Sequence, residues 1–145
     1  TSRSYADALQ NLAATLKRQG KVDEAIELSL QAHEFYEREL GLHYLVAYPL
    51  LTAAEIELGR GQWVAARELA SEAFDILAET LPEGHSSTWV ARCRRGHGRW
   101  RSGMRESGLR DLELASAALD ESTYGRDHAY PTACRNALEH ARSAG

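Results

Sequence analysis

Gly20-Lys21-Val22-Asp23-Glu24-Ala25-Ile26-Glu27-Leu28-Ser29-Leu30-Gln31-Ala32 is a stretch that the chain writes three times. The second copy runs from Gly61 through Trp63, Ala66 and Glu68 to Ala73, and the third, more worn, from Gly103 through Arg105 and Gly108 to Ala115. Three columns stay in step: Gly20, Gly61 and Gly103; Ala25, Ala66 and Gly108; Ala32, Ala73 and Ala115. Each column advances by 41 and then by 42 residues. A period in this range is the mark of a repeat array, in which each unit buries its apolar face against its neighbours.

Each column answers a physical need. A glycine between two helical patterns ends the first helix by turning left-handed, which costs it nothing sterically. A small residue five places on, and another seven beyond, share roughly one face of the next helix. There a small side chain admits a neighbouring backbone that a leucine would hold off.

Working outward, the apolar spacing reads as paired helices. Leu9, Leu12 and Leu16 place a first helix over Tyr5 to Gln19, and the next runs from Asp23-Glu24, acids favoured by the helix dipole, to Gly41. The third ends near Arg60, and Pro49 requires that it either begin near Tyr48 or bend there. Gln62–Thr80, the segment from His85 to Ser102, Met104–Leu119 and a terminal helix Pro131–Ala144 complete the pattern. The whole chain, 1–145, is thus one domain: repeats at about 5–41, 46–82 and 88–122, and a last helix at about 129–144. Because Thr1 stands first, the chain is expected to be a piece of a longer protein. Three histidines, His43, His85 and His128, recur between the pairs at spacings of 42 and 43. A histidine that returns once per repeat does a repeat-level job, capping or bridging the loop.

Composition supports a packed helical domain: 43% of the residues are hydrophobic and only three are proline, with no glycine- or serine-rich linker. The longest uncharged run, Leu40 to Ala54, is too short and too broken to span a bilayer. Cys93 and Cys134 are too few and too unpatterned for a disulfide scaffold or a zinc site, so a reducing cytoplasm is the expected setting. Charge is uneven. The net charge is −4, but Arg92, Arg94, Arg95, Arg99, Arg101 and Arg105 form a segment of +6 with no acid inside it, leaving −10 elsewhere.

These residues together resemble tetratricopeptide repeats, in the form of roughly 42 residues found in kinesin light chains and many bacterial multidomain proteins. The resemblance rests on Leu9, Leu12-Ala13, Gly20 to Ala25, Ala32 and Leu40-Gly41-Leu42-His43 in repeat one. In repeat two it rests on Leu50, Ala53-Ala54, Gly61, Trp63, Ala66, Ala73 and Leu81 to His85. Repeat three departs, because Arg92 and Arg95 stand where the family has large apolar residues. The resemblance implies an all-α fold, a right-handed superhelical array of antiparallel helix pairs whose first helices line a concave groove.

Carried over from the family, the groove positions are Gln10, Asn11 and Lys17; Tyr48, Leu51, Thr52 and Glu55; Arg94, His97, Trp100 and Arg101; and Asn136 and His140. Trp100 beside Arg94 and Arg101 would suit a peptide with acids and an apolar anchor. The competing reading puts Trp100 in the core and pairs the arginines with Glu68, Glu72 and Asp75 of the preceding helix. The lysine and asparagine set that clamps chaperone C-termini in some relatives is missing, with Gln10, Ala14, Leu51, Cys93 and His97 at its positions.

The implied function is a protein–protein interaction scaffold that binds a peptide or partner helix, with no catalytic residues, cofactor or metal site expected. No phosphate loop, nucleophile elbow or His-Glu-x-x-His pair occurs. Cys93 and His97 share a helix face, but two ligands alone do not make a metal site. Two alternatives stand beside this: nucleic-acid or phosphate binding through the arginine-rich helix 92–105, and self-association as a module of a bacterial kinase or regulator. The acidic remainder of the chain weighs against nucleic acid.

Overall fold

The structure, a computed structural model, describes residues 2–144. They form seven α-helices and no strand: α1 (Ser2–Arg18), α2 (Val22–Leu40), α3 (Tyr48–Gly59), α4 (Trp63–Thr80), α5 (Ser86–Arg101), α6 (Arg105–Asp120) and α7 (Ala129–Ala144). A short 3-10 turn, Tyr44–Val46, leads into α3. Consecutive helices pack as pairs, α1 on α2, α3 on α4 and α5 on α6, with α7 closing the stack. Helices α1, α3, α5 and α7 also touch one another in succession, whereas α2, α4 and α6 do not approach each other at backbone level. That difference curves the stack and makes the odd-numbered helices its inner side.

The within-repeat turns are built alike. Gly20, Gly61 and Gly103 take φ of 79°, 74° and 103°. Each closes the same pair of bonds onto the helix it ends: Gly20 N–H to Lys17 O and Lys21 N–H to Leu16 O, then Gly61 to Leu58 and Gln62 to Glu57, then Gly103 to Trp100 and Met104 to Arg99. This is the Schellman arrangement, which satisfies carbonyls that a helix end otherwise strands. The histidine column is a set of N-caps. Nδ1 of His43, His85 and His128 accepts the backbone N–H of Leu45, Ser87 and Tyr130 at 3.1, 3.1 and 3.0 Å. The loop ahead of each histidine lengthens, from 41–42 to 81–84 to 121–127, which absorbs the drift in repeat length.

Pro49 lies in the first turn of α3, where its missing N–H leaves no gap, so the helix starts at Tyr48 without bending. Likewise α7 begins at Ala129, with Pro131 in its first turn. Helix α3 buries Leu50, Leu51, Ala53, Ala54 and Ile56, on more than one side, as befits a helix held between two pairs. The small columns sit at the closest approaches: Ala25, Ala66, Ala32, Ala73 and Ala115 are fully buried. Leu77, also fully buried, joins Leu50 and Ala73 in the middle of the core, where burial of one leucine contributes about 1.5–3 kcal/mol.

Helix α5 lies close against both of its neighbours. A Cβ on Gly96 would stand 2.5 Å from Asp111 Cβ, and one on Gly108 would stand 2.5 Å from Trp100 N, so α5 and α6 meet backbone to backbone. On its other side a Cβ on Gly98 would lie 2.8 Å from the backbone nitrogen of Arg67 in α4.

Two expectations are corrected here. Cys93 of α5 and Cys134 of α7 are joined in a disulfide, their Cα atoms 6.1 Å apart, within the usual span for such a bond. The cysteine count therefore gives no reason to favour a reducing compartment. Second, the arginines do not pair with Glu68, Glu72 or Asp75. Arg92, Arg95 and Arg99 turn instead toward α6 and converge on Asp111, which is 2% exposed. Repeat three thus replaces large apolar contacts with a buried ionic cluster.

Candidate functional site: the inner groove

Arg94 is the centre of the groove. Its Nη1 donates to Leu51 O at 2.8 Å and its Nη2 to Glu55 Oε2 at 2.9 Å, and its guanidinium lies 5.2 Å from the centre of the Tyr130 ring. Lys17 reaches across from α1 to the other oxygen of Glu55. Burial pulls the Lys17 ammonium below its ordinary pKa, and the nearby Arg94 and Arg18 charges pull it further. Two cations therefore share one carboxylate, leaving the groove short of one negative charge. Farther along, Gln10 Nε2 donates to Thr52 Oγ1 at 2.9 Å, which in turn donates to Tyr48 O.

Arg94 divides two cavities. One, of about 200 Å³, is lined by Gln10, Tyr48, Leu51, Thr52, Ser87, Val90, Tyr124 and Tyr130 as well as Arg94 itself. The other, of about 300 Å³, lies between α3, α5 and α7; Leu58, Val90, Leu119, Ala129 and Ala133 make it largely apolar, with Glu55, Arg94 and His97 at its polar side. Its volume reaches the lower end of ligand-sized pockets. His97 enters this pocket uncharged: burial, then the neighbouring Arg101 and His140, hold its pKa down to about 4.

Of the groove residues expected from sequence, Gln10, Lys17, Tyr48, Leu51, Thr52, Glu55, Arg94 and His97 come together around these cavities. The rest do not. Asn11 is exposed on α1, and Asn136 and His140 are exposed on α7 without lining either cavity. Arg101 is exposed and lies over the Trp63 ring at 4.7 Å, with His97 on the same tryptophan. Trp100 is corrected from anchor to core: it is 8% exposed, in a cluster with Leu112, Leu119 and Leu138, and its ring edge meets His140. The close approach permitted by Gly108 draws it against α6.

Tyr124 and Tyr130 were not expected in the groove: Tyr124 lies in the loop between α6 and α7, and Tyr130 in the first turn of α7. The histidine column held the clue, since the residue two past His128 had to sit at a helix start facing α5. Cys93 is no candidate metal ligand with His97, because its sulfur is bonded to Cys134. Among the described residues the group suited to a metal is a different one: His33 and Glu37 of α2 with Glu72 of α4, their ligand atoms all within 4.8 Å of one another. No helix among those residues is long and apolar enough to cross a membrane.

The curved stack of helix pairs, with its glycine turns and an inner groove, defines a helical-repeat array of the α-solenoid class. The tetratricopeptide repeat family model matches residues 4–79, just over half of the chain, and the chain belongs to that family. Among solved structures, it resembles a protein of Podosopora anserina described as a kinesin light chain with nearly identical TPR-like repeats. The TM-score is 0.77 at 24% identity, over 98% of this chain and 67% of that one. A variant form of the same protein gives 0.78 at 23% identity, over 99% and 68%. No curated protein sequence matches the chain.

Proposed function

We propose that the chain binds a peptide or partner helix in its inner groove and carries out no chemistry of its own. Tetratricopeptide repeats serve in general as protein–protein interaction scaffolds, and such arrays use the concave side. The observation that carries the reading is the apolar pocket of about 300 Å³ set beside Arg94 and Lys17, which share only Glu55. An aliphatic or aromatic side chain fills the pocket, while a carboxylate two to four residues away supplies the missing negative charge. The pocket takes over the anchoring role expected of Trp100.

Of the six arginines in 92–105, Arg92, Arg95 and Arg99 are held by Asp111 and Arg94 by Glu55, which counts against phosphate binding by that helix. The test is an array of acidic peptides, each with one large apolar residue, measured by fluorescence polarisation against the wild type and Ala133→Arg. Ala133 is exposed at the pocket mouth, so arginine there blocks entry without disturbing the core. Binding that weakens at least tenfold in the variant supports the groove. Binding of equal strength in both proteins places the partner elsewhere.

A further inference from the structure

We infer that His33, Glu37 and Glu72 form a binding site for a divalent transition metal of the zinc class, on the side of the array away from the groove. The inference is independent of peptide binding. His33 is well buried, with 12% of its side chain exposed, and its Nδ1 lies 2.9 Å from Val46 O. A carbonyl only accepts, so Nδ1 is the nitrogen that donates to it, and Nε2 is the ring nitrogen left to face a metal. Nε2 lies 3.7 Å from each of two carboxylate oxygens, Glu37 Oε2 and Glu72 Oε1.

The distances are those of side chains gathered together without direct hydrogen bonds. At 3.7 Å neither carboxylate is hydrogen-bonded to Nε2. One imidazole nitrogen and two carboxylate oxygens thus converge within 4.8 Å of one another, a gathering that a single cation can bridge. Ligands on tetrahedral zinc, at bonds of about 2.0–2.1 Å, stand about 3.3 Å apart, so His33 Nε2 and each carboxylate oxygen close by a few tenths of an ångström on binding.

The rest of the geometry agrees. His33 and Glu37 are one helical turn apart and share a face of α2, while Glu72 comes from α4 in the next repeat. The backbone carbonyl behind Nδ1 fixes the tautomer and the ring direction, as outer partners of ligating histidines commonly do. Both carboxylates are more than half exposed, so they can shift toward an ion, and solvent fills the remaining coordination positions. One imidazole with two carboxylates suits Zn²⁺ and its neighbours better than Mg²⁺ or Ca²⁺, which favour all-oxygen sets. A metal here would tie repeat one to repeat two, where α2 and α4 have no backbone contact of their own.

The test is calorimetric titration with Zn²⁺ of the wild type, His33→Gln, and a Glu37→Gln/Glu72→Gln double variant, alongside thermal unfolding with and without Zn²⁺. The carboxylates are exposed, so the double variant folds normally, as circular dichroism will verify. The expected result is one tight site in the wild type, unaffected by excess Mg²⁺, weakened at least tenfold in both variants. Zinc should raise the wild-type unfolding temperature more than that of either variant. Equal zinc affinity in all three proteins would assign the binding to scattered surface histidines and overturn the site.

Discussion

Arg95 and Asp111 form a two-pronged ion pair, Nε to Oδ2 at 2.9 Å and Nη2 to Oδ1 at 2.8 Å. Arg92 Nε and Arg99 Nη1, each at 3.0 Å, take the remaining positions on the two oxygens. Burial alone would raise the pKa of Asp111. The hydrogen bonds from Arg95 and Arg92, with the charges of Arg95 and Arg99, outweigh it and hold the carboxyl below the ordinary range. The pair lies between α5 and α6 and so decides whether repeat three is assembled. Asp111→Asn leaves three guanidinium groups with no counter-charge, and urea unfolding should show a loss of about 3–5 kcal/mol. Arg92→Gln should cost clearly less, because Arg92 is about a quarter exposed and Arg95 and Arg99 still hold the carboxylate.

Two glycine-to-alanine substitutions should move stability in opposite directions. Gly108→Ala forces a methyl group against Trp100 N, 2.5 Å away, and should cost about 1–3 kcal/mol, as should Ala66→Leu in the equivalent column. Gly59→Ala, at the exposed end of α3 with nothing within 4 Å, should stabilise by about 0.4–1 kcal/mol. Parallel urea titrations of the three variants would check both signs.

The histidine caps can be tested by replacement and rescue. His85→Ala removes the acceptor for Ser87 N–H and should cost about 0.5–2 kcal/mol, whereas His85→Asn, itself a good cap, should recover most of that loss. A core role for the ring would predict that asparagine fares no better than alanine. His85 is exposed, so the cap is the role the structure gives it.

His97 makes stability fall with acid. Its folded pKa of about 4 lies below the ordinary 6.5, so above pH 6.5 it is neutral in both states and contributes nothing to pH dependence. As the pH drops from 6.5 toward 4 the unfolded chain takes up a proton that the folded chain refuses, and the native state loses up to about 3 kcal/mol. His97→Gln should lose less stability than the wild type between pH 7.5 and 4.5 in the same urea assay. Identical slopes would place His97 in contact with water rather than in the pocket wall.

Reduction of the Cys93–Cys134 bond should lower stability by about 4 kcal/mol on a chain-entropy estimate for a loop of this size. Unfolding with and without a phosphine reductant measures this directly. A Cys134→Ser variant should show no sensitivity to the reductant.

The repeat was legible because it is written in local backbone needs. A left-handed turn, a close helix approach and an N-cap each demand a residue type at a fixed offset, and Gly61, Ala66 and His85 meet those demands in one copy as their counterparts do in the others. Asp111 was not legible in the same way. Arg92, Arg95 and Arg99 had acids within reach on both neighbouring helices, and only the rotation of α5, set by contacts at Gly96 and Gly98, chose α6. The same rotation took Trp100 from the groove into the core. The disulfide did leave a trace: Cys93 and Cys134 are 41 residues apart, one repeat period, and so occupy matching places on successive inner helices. Glu72 joins His33 only through the stacking of two repeats, and no spacing within either one shows it.

The covalent link between α5 and α7 also sets how the molecule would respond to a pull on its ends. Residues 93 to 134 are short-circuited by a bridge spanning 6.1 Å between Cα atoms. Stretched out, those 41 residues would measure about 140 Å, a hidden length that no tension delivers while the sulfurs stay joined. Under load the first two repeats would pay out their full length, and the third only the residues that lie outside the bridge.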